Sequence, residues 1–271
     1  MYDFVKINQI GSPSTSSVAF SINGAVLDDV LTTSTQTFRT LNVSGRGLAE
    51  YDHEVQDIPG RHGSAHLRSK IAQRQIVVEC LVEADNNNAF RLLMRNLNQR
   101  LHSLDGLRLS FKDEPNLYYN AFFISGSNPK EDSNSLIIEL TFDCYDPFKY
   151  QTRQDIAYIQ NGAVANLDTD YGIIADEIGV ISVAGNSFKI VNETTGKQIV
   201  YSYSGSGAPN TYIIHQKRGG IYAGGLDNNL IRWGLDILES DFPNFTINDG
   251  DRITLSPSSA TLAVTYRGVT L

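Results

Sequence analysis

Strong positive charge, long apolar runs and paired cysteines are all missing from this 271-residue chain. Its 22 Lys and Arg stand against 30 Asp and Glu, a formal net charge of −8. A protein held on nucleic acid by neutralising phosphates needs a basic surface, and this chain does not supply one. No apolar stretch approaches the roughly 20 residues of a membrane helix. The longer ones, such as Ile76-Val77-Val78, are short and broken by charge. The N-terminus, MYDFVKINQIGSPS, lacks a basic segment followed by an apolar core, so no signal peptide is expected. The two cysteines, Cys80 and Cys144, lie in alternating apolar segments without CxxC spacing, which predicts a reduced structural pair.

Catalytic signatures are missing too. There is no GxSxG elbow for a nucleophile and no HExxH for zinc. Gly45-Arg46-Gly47 and Gly219-Gly220 are not followed by the GK[ST] and helix of a phosphate loop. His62 and His66 are four apart in RHGSAH, but Gly63 and Ser64 argue against the helix that would set them on one face. They read as surface or subunit-contact histidines. Asp113/Glu114 and the group Asp236, Glu239, Asp241 are the acid clusters a glycosidase could use. Both fall in turn-like stretches, where sequence neighbours do not face one sugar from opposite sides. No catalytic, metal or cofactor residue is assigned, and no enzyme activity is expected.

What is present points to β-structure. Tyr (13), Phe (12) and many Val, Ile and Thr suit half-buried pleated surfaces, and 22 Gly with Asn, Asp and Ser clusters supply turns between them. Residues 75–83 set Ile76, Val78, Cys80 and Val82 on one face. Residues 135–144 do the same with Leu136, Ile138, Leu140, Phe142 and Cys144. Further strands are predicted at 107–111 and 117–124. One segment breaks the rule: in 89–104, Phe90, Leu93, Met94, Leu97, Leu101 and Leu104 recur every three or four residues, an amphipathic helix with Arg91, Arg95 and Arg100 off the apolar stripe. Asp85 and Asn86–Asn88 offer N-caps, and Asp105-Gly106 a stop.

Residues 39–73 are polar, punctuated by Gly, and hold three of the five histidines without a core stripe. A structureless loop of about 35 residues is uncommon inside a compact domain. Enough alternation remains (Leu41, Val43; Val55, Ile58) to predict a protruding hairpin, and a hairpin with no core of its own needs a surface to lie on, most naturally a neighbouring subunit.

A domain boundary is expected near 148–155, giving 1–150 and 151–271. The halves carry 14 basic and 18 acidic residues up to Tyr150, and 8 and 12 after it, so each is −4 and neither is a charged tail. The second half shows no helix. Strands are predicted at 156–160, 178–183, 187–192, 198–203, 211–215, 230–233, 244–247, 252–255 and 260–266, with turns at 184–186, 193–196 and 247–251, the pattern of a jelly-roll sandwich. Its Tyr201, Tyr203, Tyr212, Tyr222 and Trp233 could stack a sugar ring. A non-catalytic carbohydrate-binding module, with Tyr222 and Trp233 touching the glycan, is therefore the alternative reading, although alternation places most of these rings in the core.

Several ordered landmarks resemble the distal tail (Dit) protein family of siphophages: an N-terminal strand, Asp57-Ile58-Pro59-Gly60-Arg61-His62-Gly63, the strand from Arg74 to Val82 with the helix after it, Leu109-Ser110-Phe111-Lys112-Asp113-Glu114-Pro115 with Tyr118-Tyr119-Asn120-Ala121, and the run Leu140 to Tyr150, LTFDCYDPFKY. Ile190–Gly196 and Ala263–Gly268 are similar to that family's galectin-like domain. The resemblance implies a mainly β chain, an N-terminal β-sandwich-like domain with one helix and a protruding hairpin, then a galectin-like jelly roll. It also implies a homo-hexameric ring at the tail tip. That ring joins the tail tube protein to the tail-associated tip protein, serves as a hub for the adhesion device, and lets phage DNA pass without specific binding. The location implied is the virion tail tip, after assembly in the host cytoplasm. The hairpin at 39–73 becomes a belt on the next subunit, with Arg39, Arg46, Tyr51, His53, Asp57, Arg61, His62 and His66 as inter-subunit contacts. About 120 residues suffice only for the second sandwich itself, so no receptor-binding arm is expected and a receptor-binding protein attaches through another subunit.

Overall fold

A computed structural model describes residues 16–60, 62–127, 133–183, 186–203, 210–216, 218–223 and 234–271. Arg61, Trp233 and the strand expected at 230–233 lie outside the described residues. The chain divides into two compact units, one up to Lys149 and the other from Tyr150.

In the first unit the strands are β1 (Phe20–Ile22), β2 (Ala25–Val26), β3 (Gln36–Ser44), β4 (Tyr51–Asp57), β5 (Ser64–Ile71), β6 (Arg74–Ala84), β7 (Leu107–Phe111), β8 (Glu114–Gly126) and β9 (Ser135–Cys144). All but β4 and β5 lie on one sheet path, β2-β1-β7-β8-β9-β6-β3. The period-two stripes meet in register: Ile76 opposes Phe142, Val78 opposes Leu140 and Cys80 opposes Ile138, and all six are buried. The path curls on itself. Phe20, near one end, lies 6.2 Å from both Phe38 at the far end and Phe142 in the middle. Edge-on ring contacts of this kind fill a closed core.

The amphipathic segment folds as α2 (Asn87–Leu101), capped by Asn86, whose side chain accepts from the Ala89 N–H at 3.0 Å. It buries Phe90, Leu93, Leu97 and Leu101 against β3 and β6. The helix stops a turn earlier than its apolar pattern: His102 is already extended and Leu104 is exposed. A helical turn, α1 (Leu27–Leu31), precedes β3 and was invisible to periodicity because it is only five residues long. Its Asp28 accepts from the N–H and hydroxyl of Thr40, tying α1 to β3. Burial raises the Asp28 pKa, and the Thr40 hydrogen bonds work against that rise.

The second unit holds β10 (Lys149–Gln151, starting on the division), β11 (Asp155–Gln160), β12 (Glu177–Ile181), β13 (Ser187–Asn192), β14 (Gln198–Ser202), β15 (Thr211–His215), β16 (Gly220–Ala223), β17 (Ile253–Ser256), β18 (Thr261–Tyr266) and β19 (Val269–Thr270). The order β11-β18-β12-β15-β16 makes one sheet and β14-β13-β17 a second. Phe188 and Tyr201 from the smaller sheet meet Tyr212 from the larger at ring distances of 5.1 and 5.2 Å, so the sheets pack face to face as a sandwich. The segment 244–247 forms no strand; Ile247 makes only an isolated bridge to Ile173. Among the turns, Asn192 organises 193–196: its Oδ1 accepts from the N–H groups of Thr194 and Thr195, and its Nδ2 donates to the Asp251 carboxylate at 2.6 Å.

Both cysteines are free and buried. Burial pushes Cys144 up to about 12 and Cys80 well above the ordinary thiol range. At neutral pH both are therefore protonated and poor nucleophiles. A disulfide reagent is expected to leave both unmodified in the native protein and to titrate two thiols after addition of denaturant; fast native labelling would contradict this packing.

Candidate functional site: a hairpin and its anchored root

β4 and β5 pair with each other and with no other described strand. Every β4 residue is exposed, and only Ala65 and Ile71 of β5 are half-buried. The ribbon therefore has no hydrophobic backing within its own unit. Its extent is narrower than 39–73. Residues up to Ser44 belong to β3, where an irregularity between Thr40 and Asn42 interrupts the alternation. Arg39 accordingly sits in the main sheet opposite Leu81.

The root of the hairpin is built from side chains far apart in sequence. Arg46 donates in a fork to both carboxylate oxygens of Asp113, at 2.7 Å each, and its guanidinium lies 4.3 Å from the centre of the Phe111 ring. Both partners are largely covered, with side chains 15% and 14% exposed. Glu114 stands 3.6 Å from the same guanidinium and accepts from the Lys149 ammonium at 2.9 Å. Burial works to lower the Arg46 pKa, but the Asp113 hydrogen bonds, Asp113 and Glu114 together outweigh it and raise it, so the charge is secure. Across the same root, Arg74 donates to the carbonyls of Gly45, Gly47 and Pro147. Arg74 and Lys149 each lie 5.8 Å from the Tyr119 ring, whose buried hydroxyl has its pKa raised by desolvation.

Gly45 is required there. Its φ is +86°, and a Cβ would fall 1.9 Å from the Gln75 carbonyl oxygen. The chain can leave β3 against β6 only at a residue without a side chain. Beside this root a groove of about 1130 Å³ opens between hairpin and sheet, lined by Leu48, Glu50, Ile71, Gln73 and Tyr145 among others. Leu48 is 98% exposed at its mouth.

Of the residues read as inter-subunit contacts, the structure puts Tyr51, His53, Asp57 and His66 on the hairpin and exposed, and His62 exposed in the turn. Arg46 is not on the hairpin but locked beneath it. The sequence singles out Asp113 and Glu114 as an acid pair and, with Lys149, as parts of motifs; that the two acids meet Arg46 has no periodic signal, because 67 residues separate Arg46 from Asp113. The rings read as a glycan platform are dispersed: Tyr201 and Tyr212 are core, and Tyr222 is half-buried against His215 at 5.5 Å. Among the described residues no three His, Cys, Asp or Glu side chains gather as a metal site, and no helix is long and apolar enough to cross a membrane.

Removing the Arg46 side chain leaves the Asp113 carboxylate covered and unpaired, which costs roughly 3 kcal/mol. Arg46→Ala is expected to lower the urea midpoint accordingly and to make residues 48–72 the first protease cleavage region; Gly45→Ala is expected to do the same by displacing the β3 exit. Unchanged melting and cleavage in both variants would contradict the anchored root.

Residues 27–144 match the family model described as phage tail protein RIFT-related domain. A search of the curated proteins returned no match. Among solved structures, the chain is similar to the Dit (gp 19.1) protein of phage SPP1, described as a paradigm of the hub adsorption apparatus in phages infecting Gram-positive hosts. That similarity has a TM-score of 0.72 and 15% identity over 92% of this chain and 98% of that one. It is also similar to a chain of the phage p2 baseplate in its activated conformation with Sr, with a TM-score of 0.50 and 14% identity over 91% and 97%. Residues 27–144 are therefore similar to the phage tail RIFT-related domain, in a chain that shares its fold with the SPP1 Dit protein.

Proposed function

We propose that this chain is a structural subunit of the phage tail tip, a hub that closes as a homo-hexameric ring. The carrying observation is the hairpin β4–β5: a ribbon exposed on nearly every residue, unpaired with any other described strand, yet fixed at its root by Arg46, Asp113 and Arg74. Fixing an exposed ribbon in one direction makes sense when its contact surface belongs to another copy. A contact that places a patch of one subunit on a different patch of the next is head-to-tail, and head-to-tail contacts close into rings when the rotation allows.

In this reading the hairpin lies on the neighbouring subunit, with Tyr51, His53, Asp57, His62 and His66 at the contact and Arg39 and Arg46 supporting its base. The ring encloses a channel for DNA and joins the tube protein on one side to the tail-associated tip protein on the other. A receptor-binding protein attaches through another subunit. The net charge of −8 suits a conduit, because basic walls would hold DNA through its phosphates. Assembly takes place in the host cytoplasm, and the finished location is the virion tail tip.

Light scattering on the purified protein is expected to give six times the chain mass, and deletion of residues 51–71 with a short Gly linker to give monomers with an intact second unit. A monomer indifferent to that deletion would overturn the ring.

A further inference from the structure

The two faces of the hairpin differ in chemistry. Cross-strand partners share a face, so Asp52 with Lys70 and Glu54 with Arg68 lie on one side, where they form ion pairs. Tyr51 with Ile71, His53 with Ser69 and Val55 with His66 lie on the other. The register shifts between Glu54 and Val55, Leu67 being the extra residue on β5, and this shift brings His66 diagonally beside His53. The two imidazoles meet edge to face at 5.7 Å, and Tyr51 stacks on His53 at 6.4 Å.

Nδ1 of His53 lies 2.8 Å, and Nε2 of His66 2.7 Å, from one and the same atom, Oγ of Ser69. Nitrogens from opposing strands thus aim at a single point. A serine hydroxyl has one proton, so it donates to one ring and accepts from an N–H of the other. In the tautomers that turn both lone pairs inward, it satisfies only one of them. Two convergent imidazole lone pairs with an alcohol oxygen between them are a donor set for a borderline divalent ion, which imidazole nitrogen binds at about 2.0–2.1 Å.

We propose that His53 and His66 bind a transition-metal ion of the Zn²⁺ class on the Tyr51 face of the hairpin, the face that the ring reading lays on the neighbouring subunit. The ion takes the bridging position of the Ser69 hydroxyl, with water or that hydroxyl filling further positions. Each ring coordinates through the lone pair of a neutral imidazole nitrogen. The charged groups around the pair are already matched: Asp57, on the same face, accepts from Ser64, and the four charges of the opposite face pair among themselves. Hard cations gain nothing from two nitrogens, since Mg²⁺ and Ca²⁺ seek oxygen ligands. The consequence is structural. A ribbon without a core holds together only by its cross-strand pairs, and an ion that bridges β4 and β5 stabilises the paired state by mass action.

The test is calorimetric titration of the full-length protein with ZnCl₂ at neutral pH in a non-chelating buffer. A single saturable site per chain is expected. It should weaken at least about tenfold in His53→Ala and in His66→Ala, keep its affinity in the His102→Ala control and persist in excess Mg²⁺. Protease cleavage within residues 51–71 should slow on adding Zn²⁺ in the native protein and not in His53→Ala. Absence of saturable binding, or binding retained in the His53→Ala/His66→Ala double variant, overturns the site. Both histidines are exposed, so the variants are expected to fold, which circular dichroism checks. Binding is read per chain whatever the oligomeric mass, so its failure would leave the ring standing, and a monomeric mass would leave the metal site standing.

Discussion

The bidentate pair between Arg46 and Asp113 fixes where the chain leaves the sheet. A guanidinium fork and a carboxylate meet in one plane at one distance, here with 2.7 Å on both arms and the Phe111 ring beneath. Arg74 then fixes the carbonyls of Gly45 and Gly47 on either side of Arg46, and Gly45 allows the backbone to touch Gln75. A ribbon of seven or eight residues per strand is a lever, and small rotations at its base become large displacements at its tip. Its direction is as well defined as the root, and the root consists of charges covered by protein rather than of apolar contact.

That choice of chemistry has a physical reason. Apolar packing is non-directional and tolerates sliding, whereas a fork between Arg and Asp does not. The ion pairs along the ribbon itself, Glu54 with Arg68 and Asp52 with Lys70, are more than half exposed and contribute little to stability. They make one face of the ribbon self-satisfied in water. The molecule thus uses the same residue types for two ends: rigid aim at a covered root, and solubility along an uncovered arm.

The main sheet and the long helix were legible because both obey a period. The five inward residues of β9 and the four of β6 alternate without error, and the stripe of α2 runs from Phe90 to Leu101. Strand β3 was read as part of the protrusion because its irregularity at Leu41 shifts the alternation midway, and because Arg39 and Thr40 look like surface residues although Thr40 is buried on Asp28. The root was invisible for another reason: its members come from β6, β8 and three loop or edge positions, and nothing in a one-dimensional pattern links Gly45-Arg46-Gly47 to Asp113. The motifs hold Asp113, Glu114, Arg74 and Lys149 but not Arg46, and their meeting place comes only from the fold. The histidines show the same limit. Spacing singles out His62 and His66, four apart in sequence, yet the shifted register of the hairpin sets His66 opposite Val55 and diagonally beside His53.

The difference between the ribbon's faces also bears on how an arm can be soluble alone and adhesive in the proposed ring. The face of Asp52, Glu54, Arg68 and Lys70 gains nothing from leaving water, since desolvating matched charges costs at least what their attraction returns. The face of Tyr51, Val55, His53, His66 and Ile71 carries the ribbon's apolar and ring surface, and covering it releases ordered water at about 25 cal/mol per Å². Burying that face while leaving the charged one in solvent would give the proposed contact a single orientation, which is what a closed ring of identical subunits demands of each repeated joint. The polar ring nitrogens on the same face are the exception within it: covering them requires a partner for each, and Ser69 is the one hydroxyl set between them.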